Sequence, residues 1–157
     1  MYRAWLALAV LAALCAVSTA DSLTYENSRF GTRISFPSDL FDVIDPPPAN
    51  GDGRLFRSAD GAELAVYGQH NALDRTPDGM LASAKSEAAG RGREVTYGAS
   101  GKDWVVISGY EDGTVFYERH EFGANGTIHS MVLRYPEARK TIYDGLVGAI
   151  AGTLEGP

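Results

Sequence analysis

Cysteine is almost missing from this chain. The one thiol, Cys15, lies inside an apolar N-terminal stretch, so removal of that stretch leaves no disulfide, no thiolate metal ligand and no cysteine nucleophile. Histidine is also scarce. His70, His120 and His129 are the only three, and none stands in a His-x-x-x-His spacing, which argues against a metal site. Positive charge is in deficit, with 14 Lys and Arg against 20 Asp and Glu and a net charge of -6. Nucleic acid and anionic lipid are both held by Lys and Arg neutralising phosphate, so neither is an expected partner.

Long apolar runs are confined to the start. Arg3 is the only charge in the first twenty residues, Ala4 to Val17 is uncharged, and Ser18-Thr19-Ala20 closes the stretch with small residues. A positive start, an apolar middle and a small-x-small exit are the three parts of a secretory signal peptide. The alternative of a membrane anchor needs about 20 apolar residues in succession, and Ser18, Thr19 and Asp21 interrupt too early. Lipidation of Cys15 needs a small residue before it, where Leu14 stands. The expectation is cleavage after Ala20, export to the periplasm or the medium, and no membrane attachment of the mature chain. Losing Arg3 takes the charge from -6 to -7.

The mature part, residues 21–157, has the length of one domain. Turn signals at Asp60-Gly61, Gly101-Lys102-Asp103, Asp112-Gly113 and Asn125-Gly126 use residues that tolerate the positive φ of tight hairpins. Between them, β-rich segments read as strands: Arg54–Arg57, Glu63–Tyr67, Glu94–Tyr97, Trp104–Tyr110, Val115–Phe122 and Ile128–Tyr135. The last three are joined too tightly for parallel crossovers and are expected to form an antiparallel meander. Residues 45–53, Asp-Pro-Pro-Pro-Ala-Asn-Gly-Asp-Gly, read as a loop, because proline lacks the donor that regular structure needs.

Two segments read as helices. Thr76-Pro77 offers a cap followed by proline at the first helical position, opening a helix over 77–89 with Leu81, Ala84 and Ala88 on one face. A second helix is expected over 137–154, where Tyr143, Leu146, Val147, Ile150 and Leu154 recur at three- and four-residue intervals as one apolar stripe for the sheet. The fold class is therefore α+β: a single antiparallel sheet of about six to seven strands packed by these two helices.

The segment Tyr25-Glu26-Asn27-Ser28-Arg29-Phe30-Gly31-Thr32-Arg33-Ile34-Ser35-Phe36-Pro37-Ser38-Asp39-Leu40 resembles the first hairpin of the Mog1/PsbP-like fold, named in part for the photosystem II PsbP proteins. It has an aromatic start, a turn with glycine and a strand ending in an aromatic-Pro pair, with Leu40 where such domains often carry Trp. The strand into Tyr135-Pro136 and the amphipathic segment after it are also similar to that family. The resemblance covers most of residues 24–154. It implies a curved antiparallel sheet with helices against it, and a binding or accessory module in place of an enzyme, although fold alone does not fix function.

No catalytic or cofactor signature stands out. No Ser lies in a Gly-x-Ser-x-Gly elbow, Glu118 and Glu121 fall on opposite faces of one strand, and Gly90-Arg91-Gly92-Arg93 reads as a flexible basic link, not a phosphate loop. His120 and His129 flank the Asn125-Gly126 turn, but His129 alternates in phase with Met131, Leu133 and Tyr135 and is expected to line a buried face. Asn125-Gly126-Thr127 is a formal glycosylation sequon that also reads as a tight turn. Tyr67, Tyr97, Tyr110, Tyr117 and Tyr135 read as packing aromatics, or, if exposed together, as a ligand-binding face.

The candidate ligand-binding residues are Arg134, Arg139 and Lys140, a basic cluster in an acidic chain at the junction of the last strand and the C-terminal helix. There they would meet a small anion or a partner's carboxylate, unless Glu137 and nearby acids neutralise them. Three functions are distinguishable. An exported, non-enzymatic binding or accessory domain, acting on an unidentified protein or small molecule, would present an aromatic face. An envelope interaction protein would expose Pro46–Pro48. A small hydrolase would join a His to a carboxylate in a pocket. The first is the expected one, with no cofactor.

Overall fold

The structure, a computed structural model, describes residues 21–157; the expected export segment and Cys15 lie outside the described residues. A two-stranded hairpin comes first, β1 (Ser22–Glu26) with β2 (Arg33–Pro37). Its turn is built by Asn27, whose side-chain oxygen accepts from the backbone N–H groups of Arg29 and Phe30 at 3.1 and 2.9 Å. Gly31 then takes a left-handed φ of 69°, which glycine adopts without steric cost.

The remaining strands are β3 (Val43–Ile44), β4 (Gly53–Arg57), β5 (Glu63–His70), β6 (Arg93–Ser100), β7 (Trp104–Glu111), β8 (Thr114–Phe122) and β9 (Thr127–Pro136). They form one seven-stranded antiparallel sheet in the order β3-β4-β5-β9-β8-β7-β6. The expected β7-β8-β9 meander is present, and each of the six expected strands appears within a few residues of its expected bounds. The short edge strand β3 and the pairing of β5 with β9 across more than fifty residues carry no local signal. Arg93 was read as part of a basic link, but it opens β6. The link itself is a short 3-10 turn over Ala89–Arg91, closed by Gly92 at φ 68°.

Helix α1 (Pro77–Glu87) starts as expected, with the Thr76 hydroxyl accepting from the Gly79 amide at 3.1 Å. It lies over β6 and β7, where Met80, Leu81 and Ala84 meet Val105, Ile107, Phe116 and Ile128. The opposite face carries the larger core. Phe56, Leu64, Val66, Met131, Leu133 and Tyr135 project from the sheet against Ile34 and Phe36 of the hairpin, Phe41, and Tyr143, Ile150 and Leu154 of the C-terminal segment. This second face, covered by the hairpin, is called the hairpin face.

The C-terminal stripe packs as expected, but not as one helix. Residues 137–154 divide into a 3-10 turn (Glu137–Arg139), α2 (Lys140–Tyr143) and α3 (Val147–Ala151). Gly145, Gly148 and Gly152 weaken helix continuity by about 1 kcal/mol each relative to Ala, and the segment instead bends so that Tyr143 and Ile150 both reach the sheet. Tyr143 stacks on Tyr135 at 4.9 Å and donates to Asp60 at 2.9 Å.

Candidate functional site

A cleft of about 570 Å³ opens between α1 and the sheet. Alternation along the strands brings Tyr67 of β5, Ile107 of β7, and Glu118 and His120 of β8 to the α1 face, where they line it together with Gln69, Met80 and Ala84. Arg75, Arg91 and Arg93 stand around its mouth and walls. The loop leading into α1 borders it and holds Asp74 at a φ of 49° and Leu73 at 73% exposure.

The cleft floor is a polar chain. His120 is 6% exposed; its Nδ1 lies 2.8 Å from the Ser130 hydroxyl and its Nε2 3.6 Å from the Glu118 carboxylate. Glu118 also pairs with Arg93, whose guanidinium rests 3.7 Å from the Phe116 ring centroid. Burial alone would raise the Glu118 pKa, but the nearby His120 ring, the hydrogen bond from Arg93 and the Arg93 charge outweigh it and hold the carboxyl below its ordinary range. Burial raises the Tyr67 phenol, with partial relief from Ser130.

A second, smaller depression of about 270 Å³ lies on the hairpin face, beside the C-terminal segment. Tyr97, Tyr110, Tyr117, Tyr135 and Lys140 line it, with Asp144 at its border. Tyr97 and Tyr117 both flank Ser108 in one cross-strand row. Lys140 Nζ sits 2.6 Å from the Tyr110 hydroxyl, and Tyr135 donates to Asp144 at 2.8 Å.

The basic cluster read from the sequence is not brought together. Arg134 lies on the α1 face beside Glu111, in a row of alternating charge that runs through Arg93 and, by register, toward Glu63 and Arg57. Arg139 faces Asp60 at 3.8 Å, and Lys140 faces Asp144 at 3.9 Å and Tyr110. Adjacency in sequence misled here because a strand sends alternate side chains to opposite faces. Lys140 does join a site, the tyrosine-lined depression.

His120 and His129 also part. Register pairs His120 with Ser130 and Glu121 with His129, so the imidazoles lie on opposite faces. His129 is buried as expected, 2.8 Å from the Thr32 hydroxyl, and burial lowers its pKa. Among the described residues no group of three or more His, Cys, Asp or Glu side chains is arranged to hold a metal. Asn125-Gly126-Thr127 is a turn, with Gly126 at φ 74° and the Asn125 side chain accepting from the Thr127 amide. The residues that sequence reasoning missed are Tyr67, Arg93, Glu118 and Ser130 as a connected floor. Only the strand registers could have shown that they meet.

No family model matches the chain, and no curated protein matches it. Among solved structures, the chain is similar to cyanobacterial PsbP (CyanoP) from Synechocystis sp. PCC 6803 in its solution structure. The TM-score is 0.63 at 13% identity, over 90% of this chain and 96% of that one. What the two share at that identity is the arrangement of strands and helices, and this chain has the PsbP-like fold.

Proposed function

We propose that the protein is a small exported binding domain without a reaction of its own, which takes a small polar ligand in the cleft under α1. The observation that carries this reading is the cleft itself: a volume within the ordinary range of ligand pockets, where Met80, Ala84 and Ile107 are outnumbered by polar and charged side chains such as Gln69, Arg75, Arg93 and Glu118. The cleft does join a His to a carboxylate, the feature a hydrolase would need. The local geometry favours binding. Both ring nitrogens of His120 already face protein groups, Ser130 and Glu118, so the hydroxyl placed for the imidazole to activate is that of Ser130. Ser130 is completely buried, which withholds its hydroxyl from a scissile bond. Glu118 is held ionised, the opposite of what a general acid requires. Among the described residues no helix is long and apolar enough to cross a membrane, and the acidic surface disfavours nucleic acid.

The test is an amide NMR titration with a panel of small probes: amino acids, hydroxy acids, monosaccharides and polyamines. At least one should give saturable shifts converging on Gln69, Met80, Ser83 and Glu118. Absence of saturable shifts there across the panel overturns the cleft. Ester or amide hydrolysis that is lost in His120→Ala overturns the non-enzymatic reading.

A further inference from the structure

Large exposed apolar side chains in the described chain are few: Val43, Ile44, Leu73, Tyr97 and Ile142. Two of them, Val43 and Ile44 at 49% and 48% exposure, adjoin Pro46, Pro47 and Pro48, which are all exposed. Tyr97, at 57%, walls the tyrosine-lined depression. These two apolar features occupy opposite edges of the same sheet, β3 and β6.

The proline ridge is held rigidly. Before it, the Asp45 amide donates to the Leu55 carbonyl at 2.9 Å and the Asp45 carboxylate accepts from Arg57 at 2.9 Å. After it, the Gly51 amide donates to the Pro48 carbonyl at 2.9 Å, and Asn27 and Arg29 hold the carbonyls of Gly51 and Asn50. Successive prolines restrict φ to about -65° and favour an extended polyproline conformation. Such a ridge loses little entropy on docking.

The strand spacing at the depression leaves room for it. Tyr97 and Tyr117 stand on β6 and β8 with β7 between them, roughly 10 Å apart at a strand spacing of about 4.8 Å. Ser108 between them is small, and its hydroxyl turns back to donate to the Phe116 carbonyl at 2.8 Å. A ring held between two others needs about 7–8 Å, twice a contact of roughly 3.5–4.0 Å, so the slot admits a pyrrolidine ring. The Tyr97 and Tyr110 phenols and the remaining Lys140 protons supply donors, and a polyproline segment offers only carbonyl acceptors. Aromatic-lined grooves recognise polyproline segments by this combination. Asp42, exposed beside the ridge, is opposite in charge to Lys140 of the slot.

We propose that the tyrosine slot receives the Pro46–Pro48 ridge of a second copy of this chain. Docking within one molecule is excluded by distance, since six strand spacings of about 4.8 Å separate β3 from β6, roughly 29 Å. The contact is heterologous: each copy offers a ridge at one edge and a slot at the other, so association runs head to tail and does not close at two. It is weak, because three prolines bury far less than the ~1,200 Å² of a stable interface. This site is separate from the cleft and stands or falls independently of it.

Complementing variants test it. One carries Pro46→Ser, Pro47→Ser and Pro48→Ser and keeps its slot; the other carries Tyr97→Ser and keeps its ridge. Circular dichroism should show both folded. Sedimentation of the parent should give an average mass that climbs past a dimer with concentration. Each variant alone should stay monomeric, and their equimolar mixture should rise to a dimer and stop. A peptide of residues 42–52 should shift the amide signals of Tyr97, Ser108 and Tyr117 in the ridge-less variant and leave those positions unmoved in Tyr97→Ser. A parent that is monomeric at millimolar concentration, association that either variant retains, or a mixture that fails to pair overturns the proposal.

Discussion

At the scale of single residues, two largely buried groups, His129 and Glu118, make stability depend on pH in different windows. His129 is enclosed by Thr32 and the C-terminal residues, and burial lowers its pKa from 6.5, partly countered by the Pro157 carbonyl. A group whose folded pKa is depressed contributes stability above its unfolded pKa and loses it as pH falls toward the folded value. The melting temperature is therefore expected to decline from about pH 6.5 downward, and His129→Gln should flatten that decline in a series of thermal melts. Glu118 has the same sign at a lower window, its contribution fading as pH falls below the ordinary carboxylate range. Glu118→Gln removes the charge that Arg93 faces and should cost about 1–3 kcal/mol at neutral pH, measured by urea unfolding. It should also remove the low-pH part of the decline.

The elements differ in how firmly each is anchored. In the C-terminal segment, Tyr143 and Ile150 are almost fully buried, whereas Leu146 and Val147 are half-buried. Ile150→Ala should cost about 2–5 kcal/mol, and Leu146→Ala only the lower end of that range or less, because a partly exposed site leaves a smaller cavity. Equal losses would mean that the segment packs along its whole length. The hairpin is fitted to β5 at Gly68, where an added Cβ would lie 2.4 Å from that of Phe30. Gly68→Ala should therefore push the hairpin away and lower stability by about 1–3 kcal/mol, with loss of Phe30 protection read by amide exchange.

For the whole molecule, the pairing of β5 with β9 makes the sheet rich in contacts distant along the chain, which slows folding. Refolding in the range of milliseconds to seconds is expected by stopped-flow fluorescence of Trp104. Export is the other prediction at this scale. Intact mass of the natively expressed protein should correspond to a chain beginning at Asp21, one residue before β1. A mass retaining residues 1–20, or lipid on Cys15, would contradict it.

Local order was legible in the sequence because it depends on neighbours. Asp60-Gly61, Asp112-Gly113 and Asn125-Gly126 marked turns, Thr76-Pro77 opened α1, the alternation of His129, Met131, Leu133 and Tyr135 announced a buried face, and the first hairpin pointed to the fold. Only the tertiary structure decided the sites. Whether Arg134 joins Lys140, or His120 meets Ser130 and Glu118, depends on register and on which face each strand turns to the core, and a shift of one residue reverses both. Gly145, at the break between α2 and α3, and Gly152, at the end of α3, were visible. Their effect was not, because a helix with weak propensity bends or stays straight according to the surface on which it packs.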